Sequence, residues 1–272
     1  MNTPPASGSN PDELSTTDHI EFFFDPMCPW AWITSRFMVE VAEHRRLSIT
    51  WRLISLAMLN ARDGVEPPAT ALNAGQQAHP SCVERLFPRL RLGNNSAVTL
   101  EAAPTGATSY DRAIPIGTDI MRVLASVIEN HTNADLGALY TAIGNRLHPG
   151  GRSSELFGDH PVQGAHLRVL SEAIDEVGLG GGLMDSCADQ SLDELVRSET
   201  KEALRRTGEG VGTPVITYDP DRPEVSSFFG PVFNRIPRGS EAVALFDAVA
   251  GLARAGGMAE IKRTDRGEPD FA

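Results

Sequence analysis

The residue with the clearest chemical potential is Cys28, which lies in the segment DPMCPWAW at residues 25–32. The apolar run at 19–24 is typical of a β-strand and the pattern after 28 is helical, so Cys28 falls at or beside a helix N-cap. Pro29 suits the first helical position, where a missing N–H costs nothing. A thiolate there faces unpaired N–H groups and the positive end of the helix dipole. We therefore expect a lowered thiol pKa and a nucleophilic sulfur.

The neighbours of Cys28 leave a second interpretation open. Asp25 lies three residues earlier, and its carboxylate would oppose thiolate formation if the two groups were close. Free cysteines are also often buried as small apolar residues with no chemical role. The position at a strand-to-helix junction, directly before Pro-Trp, favours the reactive role.

The elements around Cys28 form a strand–helix–strand unit. Residues 19–24 read as a strand, apolar residues recur at helical spacing over 33–46, and residues 48–56 read as a second strand. Because the joints are short, the two strands are expected to be parallel, with the helix crossing between them.

The middle of the chain predicts a helical insertion. Residues 61–113 are rich in Ala, Pro, Gly, Asn and Thr and read as irregular, with one periodic stretch at 83–92. Four helices then follow without an intervening strand, at residues 116–129, 133–147, 162–177 and 192–207.

Strands return in the last quarter of the chain. A hairpin is predicted from 214–218 and 225–229, followed by an amphipathic helix at 241–254 and a polar tail. The order predicts an α/β protein with a thioredoxin-like fold, interrupted after its second strand by an all-helical domain. The expected division is a disordered leader at 1–18, a thioredoxin-like domain at 19–60 and 211–272, and an inserted segment at 61–210.

Composition and charge limit the partners. The 272 residues carry a formal net charge of −12, so nucleic acid and anionic membrane surfaces are poor partners. No apolar run reaches the length of about 18 residues that a transmembrane helix needs. Cys28, Cys82 and Cys187 are odd in number and widely spaced, and residues 1–18 lack the features of a secretory signal. These observations predict a reducing compartment, by default the cytoplasm.

Four motifs, taken in order, resemble the DsbA family of thioredoxin-fold proteins, and most of all its actinobacterial branch of mycothiol-dependent nitroreductases. The resemblance covers about 21–60 and 114–271, whereas 62–113 is longer than that branch implies. The motifs are FFFDPMCPWAWITSRF at 22–37, LYTAIGNRLH at 139–148, GTP at 212–214, and FFGP at 228–231 with IPRG at 236–239.

The resemblance implies roles for five further residues. The proline that opens the third strand is usually cis in this fold and lies against the cysteine motif, which implies a cis Pro214. The backbone of Thr213 would then be free to pair with an extended substrate or a thiol cofactor. Pro29 and Trp30 of the motif and His148 at the end of the second motif would also contact the thiol. No His or Cys pair has zinc-type spacing, so no metal is expected.

The chain departs from the family pattern at Ala31, where the second motif cysteine often stands. In a dithiol enzyme that second cysteine attacks the mixed disulfide and releases the partner. Ala31 cannot do this, so a mixed disulfide on Cys28 would persist until a small thiol or another protein attacked it. Cys82 and Cys187 could resolve it only from a distance, and neither lies in a redox motif.

Three hypotheses for function follow. The first is a monothiol oxidoreductase that uses a low-molecular-weight thiol, mycothiol by resemblance, as a co-substrate and has no tightly bound cofactor; nitroaromatic reduction is the activity implied for the branch. The second is an enzyme similar to kappa-class glutathione transferases or 2-hydroxychromene-2-carboxylate isomerases, which bind a thiol cofactor non-covalently. The third is a non-catalytic binding protein. Exposed apolar helix faces would also allow a homodimer.

Overall fold

The computed structural model describes residues 18–60, 109–158, 161–263 and 265–272. The predicted leader, apart from Asp18, lies outside these residues. So do most of the stretch expected to be irregular, the predicted helix at 83–92 and Cys82.

A four-stranded sheet forms the centre of the fold, in the order β2-β1-β3-β4. Strands β1 and β2 are parallel, with Asp18 opposite Leu47 and Phe24 opposite Leu53, as predicted. Strand β3 is antiparallel to both β1 and β4. The strands are β1 (Asp18–Phe24), β2 (Leu47–Leu53), β3 (Val215–Thr217) and β4 (Ser227–Phe229).

Helices supply the rest of the fold. All four helices predicted for the insertion are present, and the described part of the insertion contains no strand. The α-helices are α1 (Pro29–His44), α2 (Leu56–Asn60), α3 (Ser109–Asn130), α4 (Asn133–Leu147), α5 (Ser153–Phe157), α6 (Ala165–Val177), α7 (Asp193–Thr207), α8 (Pro223–Ser226) and α9 (Gly239–Ala255), with 3-10 turns at Gly181–Ala188 and Gln190–Leu192. Within the described ranges, no helix is long and apolar enough to cross a membrane.

Three predicted boundaries differ from those observed, each for a local reason. Strand β2 ends at Leu53 because the Ser55 hydroxyl accepts the Met58 N–H at 3.2 Å and so caps α2. The second hairpin strand starts only at Ser227, since Pro223 opens a helical turn instead of joining the ladder.

The third difference is in α3. The helix begins at Ser109 and continues through Pro115, whereas the sequence pattern predicts its start only after that proline. A proline inside a helix removes one hydrogen bond but does not always end the helix, and here the apolar face extends beyond it.

The insertion shares one core with the sheet. Asn133, the first residue of α4, donates to the Trp51 carbonyl at 2.8 Å and accepts from the Trp51 N–H at 2.9 Å. Further along α4, Gly144 leaves room for the Trp32 ring, since a Cβ there would lie 2.2 Å from its carbons. Buried residues from the sheet, α1, α3, α4, α6 and α9 form one apolar cluster. The architecture is thioredoxin-like with a helical insertion, as predicted.

Candidate active site

Cys28 is the N-cap residue of α1. Strand β1 ends at Phe24, a turn follows in which the Cys28 N–H donates to the Asp25 carbonyl at 3.0 Å, and Pro29 begins the helix. The Ala31 N–H points at the Cys28 Sγ at 3.5 Å. The sulfur therefore lies where an N-cap oxygen usually accepts, and a thiolate would be stabilised there by this N–H and the helix dipole. Cys28 is fully buried.

The loop before β3 closes the other side of the sulfur. The Thr213–Pro214 peptide bond is cis, as expected, and the Thr213 carbonyl accepts the Cys28 thiol at 3.5 Å. A thiol in this site has an acceptor in Thr213 and a donor in Ala31, so both of its protonation states meet a partner. Thr213 is thus brought against the cysteine motif, and Pro214 follows it through the cis bond.

Asp25 is buried under the same turn. Its carboxylate accepts the Met27 N–H at 2.9 Å and the Leu56 N–H at 2.7 Å, and no cation pairs with it among the described residues. Burial raises the pKa of Asp25 to about 6, although both hydrogen bonds act in the opposite direction. The carboxylate is therefore mostly ionised at neutral pH and mostly neutral below about pH 6.

His148 holds the motif from the insertion. It is the C-cap residue of α4, and its Nε2 lies 3.0 Å from the Pro26 carbonyl. Burial lowers the pKa of His148 to about 4, so the ring is neutral at physiological pH. A carbonyl can only accept, so Nε2 carries the hydrogen. The ring also packs on Trp32, with the centroids 5.7 Å apart.

The two motif tryptophans have different environments. Trp32 is a core residue, in edge contact with Tyr140 at a centroid distance of 5.7 Å. Trp30 lies two residues after Cys28, as the second residue of α1, and it is almost fully buried. Its indole nitrogen has no hydrogen-bond partner in the described part of the chain.

Two residues that the sequence analysis did not select also belong to the site. The Arg36 guanidinium lies 4.3 Å above the Trp32 ring and donates to Ser35 at 3.2 Å, yet no carboxylate in the described ranges pairs with it. The Tyr140 hydroxyl is buried and makes no hydrogen bond of good geometry with any residue that the structure describes; the hydroxyl of nearby Ser35 donates instead to the Trp32 carbonyl at 2.7 Å. Tyr140 lies within the motif that ends at His148, which was the available signal.

The second described cysteine is a poor partner for the motif. Burial, together with the Asp119 carboxylate, raises the pKa of Cys187 to about 11. Its thiolate is therefore scarce at neutral pH. In the ranges that the structure describes, no group of three His, Cys, Asp or Glu side chains is arranged to hold a metal ion.

Comparison with known proteins shows to which family the chain belongs. The sequence model of the family described as Rv2466c-like, mycothiol-dependent nitroreductase Rv2466c, matches residues 27–78 and 96–263. The chain belongs to this family. It is an oxidoreductase with a DsbA-type thioredoxin fold, as the motifs predicted. Because the match is interrupted only at 79–95, the Rv2466c-like family pattern extends further into the insertion than the expected departure at 62–113 allowed.

Individual relatives are more distant. The chain is 24% identical over 245 residues to the uncharacterized protein Rv2286c of Mycobacterium tuberculosis, covering 90% of this chain and 81% of that protein. Among solved structures, a probable DsbA oxidoreductase, SCO1869 of Streptomyces coelicolor, is 18% identical with a TM-score of 0.46, covering 90% of this chain and 93% of the other. A 2-hydroxychromene-2-carboxylate isomerase is 13% identical with a TM-score of 0.46, covering 87% and 95% respectively.

Proposed function

We propose that this Rv2466c-like protein is a monothiol oxidoreductase that works through Cys28 and a low-molecular-weight thiol, mycothiol or a close analogue. One observation carries the proposal: the Cys28 sulfur takes the N-cap position of α1, and the residue whose N–H faces it is Ala31 instead of a second cysteine. The site can therefore form a thiolate, but within the described ranges it has no neighbouring thiol to resolve an adduct.

The cycle balances with two molecules of the small thiol. The Cys28 thiolate attacks a disulfide substrate, forms a mixed disulfide with one half and releases the other half as a thiol. One small thiol then displaces the bound half as a thiol and takes its place on Cys28. A second small thiol attacks that adduct, leaves as the oxidised dimer and restores the Cys28 thiol. For a nitroaromatic substrate, the first two-electron reduction would likewise consume two thiols, giving one disulfide, one nitroso group and one water.

The surrounding residues have supporting roles in this proposal. The Thr213 carbonyl faces the sulfur, and the cis bond to Pro214 follows it, so this loop would position the chain of the incoming thiol. Pro29 fixes the start of α1, and Trp30 places a buried aromatic ring within the motif. His148 acts through the Pro26 carbonyl, so it is a positioning residue and would contact the thiol only if that bond broke.

Intact mass after incubation with oxidised mycothiol, or with oxidised glutathione as a second probe, tests the proposal. We expect one thiol adduct on the protein, absent in Cys28→Ser and retained in Cys187→Ser. The adduct should disappear when the reduced thiol is added. Saturable binding of reduced thiol without any adduct would instead support a non-covalent thiol site. If the protein showed no adduct and no binding, the result would support a non-catalytic protein.

Replacing Ala31 by cysteine sharpens the same test. Ala31→Cys restores the dithiol pattern, so the adduct on Cys28 should be lost within the protein as an internal disulfide forms. Ala31→Ser is the matched control, because it is similar in size and cannot form a disulfide. Equal adduct lifetimes in the two variants would show that the missing cysteine does not determine the mechanism.

A further inference from the structure

The polar tail folds back across the face of the site. Residues 265–272, here called the strap, have no regular secondary structure. The Arg266 guanidinium lies 5.9 Å from the Trp30 ring centroid and 5.4 Å from that of Phe229. Phe271 packs against His148, with ring centroids 5.5 Å apart. The strap therefore contacts both the cysteine motif and the histidine that holds it.

Three of the eight strap residues are partly covered. Arg266, Pro269 and Phe271 are half-buried, whereas Gly267, Glu268 and the others are exposed. One backbone hydrogen bond, from the Asp270 N–H to the Asn234 carbonyl at 2.6 Å, joins the strap to the rest of the described chain. No ion pair connects the strap to the described residues, although it carries four charged side chains. An element held by so few contacts can open locally at a small cost in free energy.

The chemistry of Cys28 requires such an opening. Disulfide exchange needs one sulfur to approach another directly, yet Cys28 is 0% exposed and Trp30 beside it is 3% exposed. The helices and strands around the sulfur belong to the shared core, whereas the strap lies on the outside of that core. The match to the Rv2466c-like family also stops at residue 263, just before the strap.

We propose that the strap closes the route to Cys28 in the resting protein, with Arg266 on Trp30 and Phe271 on His148 as its two anchors, and that it must lift before a thiol or disulfide can reach the sulfur. The proposed function enters only in identifying the incoming thiol. Closure of the site itself is independent of the reaction.

The rate at which iodoacetamide alkylates Cys28 tests this inference, with Cys187 as an internal reference in the same digest. Three proteins are compared with the full chain: one lacking residues 264–272, the double variant Arg266→Ala/Phe271→Ala, and the exposed-residue control Glu268→Ala. Rates are measured over a pH series, so that the plateau reports access to the sulfur and the midpoint reports ionisation of the thiol.

We expect removal of the strap to raise the plateau rate at Cys28 by about tenfold or more, the double variant to raise it by a smaller factor, and Glu268→Ala to leave it unchanged. Cys187 should react at the same rate in all four proteins. An unchanged Cys28 plateau without the strap would overturn the proposal. A parallel rise at Cys187 would do the same, because it would show general loosening.

The result is separable from the proposed function. If iodoacetamide reaches Cys28 faster without the strap but oxidised thiols still form no adduct, the inference that the strap closes the site holds and the monothiol mechanism is wrong. If adducts form equally fast with and without the strap, the monothiol mechanism holds and the inference that the strap closes the site is wrong.

Discussion

The two faces of strand β1 handle charge in opposite ways. On one face, Phe23 lies under the guanidinium groups of Arg52 and Arg206, at 4.7 Å and 5.1 Å. Both arginines belong to an ion-pair cluster with three carboxylates, made of Glu21, Arg52, Glu199, Glu202 and Arg206. On the other face, Phe24 stacks on Tyr140, and the charged or titratable groups Asp25, Arg36 and His148 have no ion-pair partner among the described residues.

The pKa directions record this difference. In the ion-pair cluster, hydrogen bonds from Arg205 and Arg206 lower the pKa of Glu202 to about 2, so the charged form is favoured. On the motif face, burial raises the pKa of Asp25 and lowers that of His148, and both shifts favour the neutral form of the side chain. Charge is thus stabilised by pairing in the ion-pair cluster, whereas on the motif face burial favours the neutral forms of Asp25 and His148.

The motif face is held by packing, so a steric change should have the largest effect. Gly144→Ala would place a Cβ 2.2 Å from the Trp32 ring, and we expect a loss of about 3 kcal/mol in the free energy of unfolding. Gly251→Ala is the matched control on α9, where nothing lies within 4 Å, and it should gain up to about 1 kcal/mol from helix propensity. Urea unfolding measures both. Equal effects would show that Trp32 can move aside at little cost.

Asp25 and His148, which have no ion-pair partner among the described residues, should oppose each other in the pH dependence of stability. Asp25 has a folded pKa of about 6, above its ordinary value of 3.8, so its contribution is present at low pH and lost as the pH rises toward 6. His148 has a folded pKa of about 4, below its ordinary value of 6.5, so its contribution is lost as the pH falls from 6.5 toward 4. Each contribution is about 3 kcal/mol, and together they nearly cancel.

Single variants should show the two slopes of unfolding free energy against pH that cancel in the wild type. His148→Gln, which keeps a donor for Pro26, should make the protein lose stability as the pH rises from about 4 to 6, through Asp25. Asp25→Asn should produce the reverse slope, through His148. Unfolding free energies measured across this range check both slopes, each taken as the difference from the double variant, and the wild type is expected to follow the double variant. The same slope in both single variants would contradict the opposition.

A smaller effect is expected in the ion-pair cluster. Arg206→Met should cost about 2 kcal/mol, because the Arg206 side chain is only 6% exposed and its loss leaves Glu21 and Glu202 without one of their partners. Arg205→Met, the neighbouring change, should cost within about 0.5 kcal/mol, since Arg205 is 51% exposed. Thermal or urea unfolding of the pair at low and high salt measures the difference. Similar costs would mean that burial does not set the strength of these pairs.

The features that could be predicted from the sequence are those set by residues close together in the chain. The N-cap position of Cys28 and the place of Pro29 follow from residues next to each other in sequence, and the helices of the insertion follow from apolar periodicity. Element ends were less accurate, because the cap at Ser55 and the helical turn at Pro223 compete with strand patterns of similar composition.

What the sequence could not show depends on contacts between distant segments. The lack of an ion-pair partner for Arg36 is visible only once the insertion and α1 are packed together. The contact of Phe271 with His148 joins residues 123 positions apart in a tail without any periodic pattern. His148 was selected from a motif as a thiol contact, whereas its bond to Pro26 shows how it can act on the site indirectly.

The placement of the tryptophans has a practical consequence. The chain has three, and each lies at a joint of the molecule: Trp30 beneath Arg266, Trp32 against Gly144, and Trp51 against Gly137. Ultraviolet excitation of indole therefore produces emission from these joints alone, without a background from distant tryptophans. The wavelength and quenching of that emission give an unlabelled optical record of how the strap and the insertion sit on the sheet.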